Sequence, residues 1–198
     1  MEKDTIQYIV DAVEQANPQR NPANLNRRLH KMLEELGELA EAYLNATSKN
    51  NLKGKTWADV KEEVVDVLIV AVDIVLTDIF DGDEYGIGKP KEMILWLAEN
   101  VSHAYQCAAK VGCVPTYDLI MQDILNDLAL YWGKYDTEVR TAHSRGVRMV
   151  SGIFTLVQNV YESDAPPEGD DEIIAEVDRK LAKWATSRNK VAEIDPEG

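Results

Sequence analysis

Cysteine and histidine are scarce in this chain, which argues against a zinc site. The only cysteines are Cys107 and Cys113, whose spacing forms neither a paired zinc motif nor an obvious disulfide. The histidines, His30, His103 and His143, are scattered along the sequence without the spacing of zinc ligands. We therefore expect buried, reduced thiols and no zinc enzyme.

Positive charge is also in short supply. The chain of 198 residues has 21 Lys and Arg residues against 35 Asp and Glu residues, which gives a formal net charge of −14 and a pI near 4.6. Because a nucleic-acid surface needs a basic face for phosphate contacts, we expect no nucleic-acid partner. If the ligand is itself a polyanion, a metal ion must mediate the contact.

Long apolar runs and a signal segment are likewise missing. The longest apolar run, residues 64–76, is too short to cross a bilayer and is interrupted by Asp66 and Asp73. The N-terminal residues include no basic segment followed by an apolar core, the pattern of a secretory signal. The sequence thus predicts a cytoplasmic protein without a membrane partner.

Apolar residues recur three and four positions apart, and the period-two alternation of a half-buried strand is nearly absent. This pattern predicts an all-α helical bundle, with one domain spanning residues 1–198. Clusters of Pro, Gly and Asp mark the breaks between helices. The helices are expected at residues 4–16, 23–47, 56–80, 90–111, 116–134, 138–162 and 170–191. In the second of them Glu35 flanks the expected core-facing stripe, which consists of Leu29, Leu33, Leu36, Ala40 and Tyr43.

A weak internal repeat relates two parts of the chain. The segments that begin at Leu33 and Val64 resemble those that begin at Leu97 and Ile124. One interpretation is a fused pair of helical hairpins, of which the second is degenerate because it lacks the full acidic set. The other is chance similarity between amphipathic helices, with an unrelated insertion in the middle. The two hairpins span residues 20–80 and 90–165.

Two acidic clusters on successive predicted helices are the most informative feature. Glu34, Glu35 and Glu38 lie in the first helix, and Glu63 and Asp66 lie in the second. Carboxylates three or four positions apart share a helix face, so two packed helices can direct these side chains at one point. That arrangement suits a hard divalent cation.

Asp66 strengthens this interpretation because it lies in the apolar run. An ionised carboxylate in such a helix costs on the order of several kcal/mol unless a cation or hydrogen-bond donors compensate it. A metal ion is one compensation, and a buried network with Arg27 or Arg28 is the alternative. For Glu34 taken alone, an ordinary solvated side chain is an adequate explanation.

The two clusters together resemble the signature of the MazG-like all-α nucleoside triphosphate pyrophosphohydrolases. The family pattern is EExxE, a gap and ExxD, and the chain matches it at residues 34–38 (Glu-Glu-Leu-Gly-Glu) and 63–66 (Glu-Val-Val-Asp). The resemblance extends over residues 25–80. Dimeric dUTPases and phosphoribosyl-ATP pyrophosphatases share much of this pattern.

The resemblance implies that Glu35, Glu38, Glu63 and Asp66 coordinate Mg²⁺, for which Mn²⁺ can substitute. Glu34 is then a supporting group or candidate base. The implied reaction is attack of water on the α-phosphate of a (deoxy)nucleoside triphosphate, which releases the monophosphate and pyrophosphate. A homodimer and a role in clearing nucleotide pools are implied as well.

Two other functions are compatible with the same residues. A dUTPase-like enzyme strict for uracil is the nearest rival. A nucleotide-binding or helical interaction protein without catalysis is the rival from another class.

The predicted last helix, residues 170–191, resembles the basic helix that closes many MazG-like domains and contacts phosphates. Lys180, Lys183 and Arg188 are its candidate substrate contacts. In compact family members this helix follows the ExxD helix directly, whereas residues 81–169 intervene here. The alternative explanation is that cations gather near a helix C-terminus because the macrodipole favours them.

Base recognition is assigned to aromatic and polar residues near the acids. Tyr43 follows the first cluster, Trp57 precedes the second, and His30 lies upstream on the first helix. Each is a candidate to contact a nucleobase, although aromatic residues at helical spacing are more often part of a core.

Overall fold

The computed structural model describes residues 1–17, 22–77, 90–134, 139–162 and 170–194, without the side chains of residues 22, 90, 134, 139–144 and 187–194. Within these ranges the protein is an all-α bundle of seven helices without strands, which confirms the predicted class. A short 3₁₀ turn, Pro22–Asn24, precedes the second helix. The helices are α1 (Lys3–Ala16), α2 (Leu25–Thr47), α3 (Trp57–Thr77), α4 (Pro90–Lys110), α5 (Tyr117–Lys134), α6 (Val139–Glu162) and α7 (Asp170–Ile194).

The apolar helix α3 is the central element of the bundle, as its composition predicts. It packs against α2, α6, α7 and α1, so its side chains are buried nearly all round from Val64 to Val75. A helix that is apolar on every face needs neighbours on every face. The predicted end of this helix at residue 80 lies outside the described residues.

Helices α2 and α3 form an antiparallel hairpin. The ring of Tyr43 near the end of α2 lies 6.0 Å from that of Trp57 at the start of α3. At the other end, Arg28 pairs with Asp73 across 2.9 Å. The middle of α2 therefore faces the first half of α3, and this register brings the two acidic clusters together.

Helices α5 and α6 form a second antiparallel hairpin that packs on the first through α3 and α6. The repeat in the sequence relates α4 and α5 to α2 and α3, yet α4 packs against α6 and α1 and does not pair closely with α5. Helix α4 therefore has other main neighbours than α5. The fused pair of hairpins stays a prediction.

Close packing of α5 and α6 depends on Gly146, and its substitution provides a test. A Cβ atom at Gly146 would lie 3.0 Å from Cε2 of the fully buried Tyr131 and 3.3 Å from Val75. We expect Gly146→Ala to lower the free energy of unfolding by about 1–3 kcal/mol through overpacking. Urea denaturation measures this change.

Gly133→Ala is the matched control, because a Cβ atom there meets nothing within 4 Å. Since Ala is favoured over Gly in helices by about 0.5–1 kcal/mol, the control should be neutral or stabilising. Equal effects of the two substitutions would contradict the packing role of Gly146.

Two expectations about side-chain burial are wrong. Both cysteines are free, as predicted, but Cys107 and Cys113 are exposed because they lie on the outer face of α4 and in the turn after it. Leu33, expected on the core-facing stripe of α2, is 44% exposed. No helix in the described ranges has the length and apolarity needed to cross a membrane.

Candidate metal centre

Three carboxylates converge where the middle of α2 faces the first half of α3. Glu35 comes from α2, while Glu63 and Asp66 come from one face of α3, and one oxygen of each lies within 4.8 Å of the others. Glu35 is only 5% exposed, and the other two are half-buried. The structure thus brings together three of the four predicted metal ligands.

The burial of Glu35 follows from the face that α2 turns to the core. The stripe expected from the sequence ran through Leu33, with Glu35 on its flank. In the structure the buried stripe runs through Leu29, Met32, Leu36 and Leu39, which draws Glu35 inward and leaves Leu33 outside. The shift places a carboxylate among apolar side chains, where it needs a counter-ion.

The pKa values of the three carboxyls reflect this burial. Desolvation raises the pKa of Glu35, of Glu63 and of Asp66, and mutual repulsion among the acids adds to the effect. Basic neighbours oppose the rise without cancelling it. A cluster that resists ionisation in this way gains most from a divalent cation placed between its oxygens.

Glu38 and Glu34 lie beside the three-carboxylate cluster. Glu38 is exposed and is not part of the compact group, but its charge raises the pKa of both Glu35 and Glu63, so it lies within electrostatic reach of the site. Glu34 is also exposed and is held by Lys31 across 3.1 Å. Both acids are therefore at the rim.

Each carboxylate of the cluster has a lysine partner from a different segment. Lys31 of α2 lies 2.7 Å from Glu35, and Lys55, in the connection before α3, lies 3.7 Å from Glu63. Lys180 of α7 is in direct contact with Asp66. The positive partner expected for Asp66 from its apolar surroundings is therefore the ammonium group of Lys180.

Helix α7 therefore reaches the site despite the intervening residues. Lys180 is only 3% exposed and also donates to Glu62 at 2.9 Å, while Arg179 pairs with Glu62 at 2.8 Å. Burial disfavours the ammonium form of Lys180, but its hydrogen bonds to Asp66 and Glu62 outweigh burial and raise its pKa. Lys180 is consequently charged at neutral pH.

The other two predicted phosphate contacts on α7 are Lys183 and Arg188. Lys183 is exposed on α7, and its charge lowers the pKa of Asp66, so it lies near the cluster. Arg188 is within α7, but its side chain lies outside the described residues.

The predicted base contacts form an aromatic group that joins α2 to α3 and α5. Tyr43 stacks on Tyr117 with centroids 3.6 Å apart, and the indole N–H of Trp57 donates to the carbonyl of Val160 at 3.0 Å. His30 packs edge-on against Trp132 at 5.0 Å. These contacts are packing contacts, and a role in base binding stays a prediction.

The alternative network with arginine forms elsewhere in the bundle. Arg28 pairs with Asp73, which also accepts from the side-chain amide of Asn17 at 2.9 Å. Asp73 is 4% exposed, so this pair neutralises Asp73 rather than Asp66. The two acids within the apolar run of α3, Asp66 and Asp73, thus have separate basic partners.

Sequence reasoning missed Lys31, Lys55 and Arg179 as neighbours of the cluster. The pairing of Lys31 with Glu34 and Glu35 is readable from the i,i+3 and i,i+4 spacing. The position of Lys55 depends on the loop, and that of Arg179 depends on how α7 packs on α3. Local spacing carries no signal for these two residues.

The donor set fits Mg²⁺. Carboxylate oxygens are its preferred protein ligands, at about 2.0–2.1 Å, so two ligands of one ion are at most about 4.2 Å apart. One oxygen each of Glu35, Glu63 and Asp66 lies within 4.8 Å of the others, which is close to this separation. Mn²⁺ has similar preferences and fits the same oxygens.

Metal affinity should fall on mild acidification. Because burial raises the pKa of Glu35, Glu63 and Asp66 above their ordinary values of 4.5 and 3.8, protons compete with the metal in a window above those values. We expect the Mg²⁺ affinity to rise with pH above these ordinary values, as measured by calorimetric titration. A flat profile would contradict binding at these acids.

The free energy of unfolding of the metal-free chain should change in the opposite sense. A carboxyl with a raised pKa holds its proton more tightly in the folded than in the unfolded state. Its contribution to the free energy of unfolding is therefore greatest at low pH and is lost as the pH rises through the folded-state pKa.

Comparison of the chain with protein-family models, with curated proteins and with solved structures finds no match in any of the three. The resemblance therefore rests on the two acidic motifs alone.

Proposed function

We propose that this protein is a Mg²⁺-dependent hydrolase that converts a (deoxy)nucleoside triphosphate to the monophosphate and pyrophosphate. The observation that supports the proposal most is the convergence of Glu35, Glu63 and Asp66 from two helices. These are the acids that the MazG-like motif designates as metal ligands. Solvated glutamates that serve helix propensity alone have no reason to converge in a buried position.

The neighbouring residues fit the same reaction. Glu38, at the rim, is the proposed fourth ligand, and Glu34 is the proposed supporting group or base. Lys180 and Lys183 lie on the α7 side, where they can receive the charged phosphates of the substrate. When bound, Mg²⁺ neutralises phosphate oxygens and lowers the pKa of a bound water.

The remaining expectations are part of the proposal. The resemblance implies a homodimer and a role in clearing surplus or non-standard nucleotides, and the sequence pattern predicts a cytoplasmic location. The packing of α5 and α6 on the first hairpin supplies, within one chain, facing helices that a smaller member would obtain by dimerising. Sedimentation equilibrium measures the oligomeric state.

Incubation of the purified protein with all common NTPs and dNTPs, dUTP included, tests the proposal. The reactions contain Mg²⁺ or EDTA, and chromatography resolves the nucleotide products while an enzymatic assay measures pyrophosphate. We expect equal amounts of monophosphate and pyrophosphate in Mg²⁺ and none in EDTA.

Other outcomes identify the rivals. Turnover of dUTP alone supports the uracil-specific enzyme, and tight binding of nucleotides without turnover supports the non-catalytic binding protein. Neither binding nor turnover would overturn the proposal and leave the acids as a structural network of ion pairs.

A further inference from the structure

The lysines around the three-carboxylate cluster match its acids one for one. Lys31, Lys55 and Lys180 come from α2, from the connection before α3 and from α7, respectively. Each lysine also contacts a further acid: Lys31 pairs with Glu34, Lys55 with Asp59 and Lys180 with Glu62. Each cluster acid thus has a counter-ion supplied by the protein itself.

A divalent cation at the same oxygens changes this balance. Glu35 and Asp66 each direct one carboxylate oxygen at a lysine, so a metal ion at the cluster competes with Lys31 and Lys180 for these acids. Because an ammonium group and Mg²⁺ repel each other, binding of the ion weakens these pairs.

We propose that the three lysines are internal counter-ions that Mg²⁺ displaces, and that the displaced ammonium groups then bind a polyphosphate anion. The inference rests on the proposed function and concerns how the same site is loaded. Metal binding adds two positive charges to the site and loosens the lysines from the cluster acids, while their contacts with Glu34, Asp59 and Glu62 remain. An anion is attracted to that site, whereas it is repelled by the metal-free, strongly acidic chain.

The burial of Lys180 supports specific displacement of a buried counter-ion over non-specific exchange of an exposed ion pair. Exposed ion pairs contribute little and exchange freely with water, as expected for Lys31, whose side chain is 43% exposed. The side chain of Lys180 is 4% exposed and contacts two carboxylates, Asp66 and Glu62. It is consequently the main competitor of the metal.

Metal and anion binding are then coupled, and the coupling is reciprocal. An anion that holds the displaced lysines raises the affinity for Mg²⁺, and Mg²⁺ raises the affinity for the anion by the same factor. Removal of one lysine should tighten metal binding in the absence of anion and reduce the coupling.

Calorimetric titration with Mg²⁺, with and without inorganic phosphate and corrected for free Mg²⁺, tests the inference. Compared with the wild type, Lys180→Met should bind Mg²⁺ about fivefold or more tightly without phosphate, and phosphate should raise its affinity by a smaller factor. Lys61→Met is the matched control, because it removes one positive charge from α3 but Lys61 pairs with Glu172, outside the cluster. It should titrate like the wild type.

Lys31→Met keeps the test decisive if Lys180→Met does not fold, since the side chain of Lys31 is 43% exposed whereas that of Lys180 is 4% exposed. For Lys31→Met we expect the same two changes, tighter Mg²⁺ binding and a smaller effect of phosphate, but both of smaller size than for Lys180→Met. No Mg²⁺ binding by the wild type would refute the proposed function. Mg²⁺ binding that neither lysine substitution tightens, or that is independent of phosphate, would overturn only the present inference.

Discussion

Asp66→Asn is expected to abolish Mg²⁺ binding and to lower nucleotide hydrolysis by about 10³-fold. The metal supplies several kcal/mol of transition-state stabilisation, and about 1.4 kcal/mol corresponds to each factor of ten in rate. Asp66 is one of three carboxylates that can surround the ion, and asparagine keeps its shape but not its charge. Steady-state turnover in Mg²⁺ and calorimetric titration measure the two effects.

Glu172→Gln is the control for this substitution. This substitution also removes a carboxylate that has a lysine partner, since Glu172 lies 3.2 Å from Lys61. Glu172, however, lies outside the cluster. Its turnover and metal affinity should equal those of the wild type. If Asp66→Asn retained wild-type turnover with Glu172→Gln as the reference, the assigned metal centre would be incorrect.

Lys180→Met is expected to destabilise the metal-free protein by about 3–5 kcal/mol. Removal of one partner from a buried ion pair leaves the other charge uncompensated. Here the side chain of Lys180 is 4% exposed, and that of Asp66 is 14% exposed. For a chain of this length each kcal/mol shifts the melting temperature by about 2–4 °C, so a decrease of about 6–20 °C is expected in EDTA.

The double variant Asp66→Asn with Lys180→Met separates the pair from general effects of packing. Because it removes both charges, its loss of stability should be smaller than the sum of the single losses. Lys61→Met serves as the control, since its partner Glu172 is 41% exposed and such a pair contributes about 1 kcal/mol or less. Additive losses would contradict a direct interaction between Asp66 and Lys180.

Local sequence signals predicted the helices, because helix formation depends mainly on residues that are close together in the sequence. The seven helices follow from the three- and four-residue apolar period, and Pro and Gly clusters separate them. The demand of Asp66 for a positive partner follows from its apolar surroundings alone. These inferences need no knowledge of tertiary packing.

Expectations that depend on packing were less accurate. The rotation of α2 could not be fixed by its pattern, because Leu33 and Leu36 are both apolar and only contact with α3 selects Leu36 for the core. Lys180 reaches Asp66 across 114 positions of sequence, a distance over which spacing carries no information. The resemblance indicated a basic closing helix, but not which of its lysines would be buried.

Turnover in ¹⁸O-labelled water tests the central claim most directly. The nucleotide panel is incubated with Mg²⁺, and mass spectrometry locates the label in the products. Attack on the α-phosphate predicts one ¹⁸O atom in the nucleoside monophosphate, unlabelled pyrophosphate and no reaction in EDTA. Label in orthophosphate, or no hydrolysis of any nucleotide by the folded protein, would contradict the account.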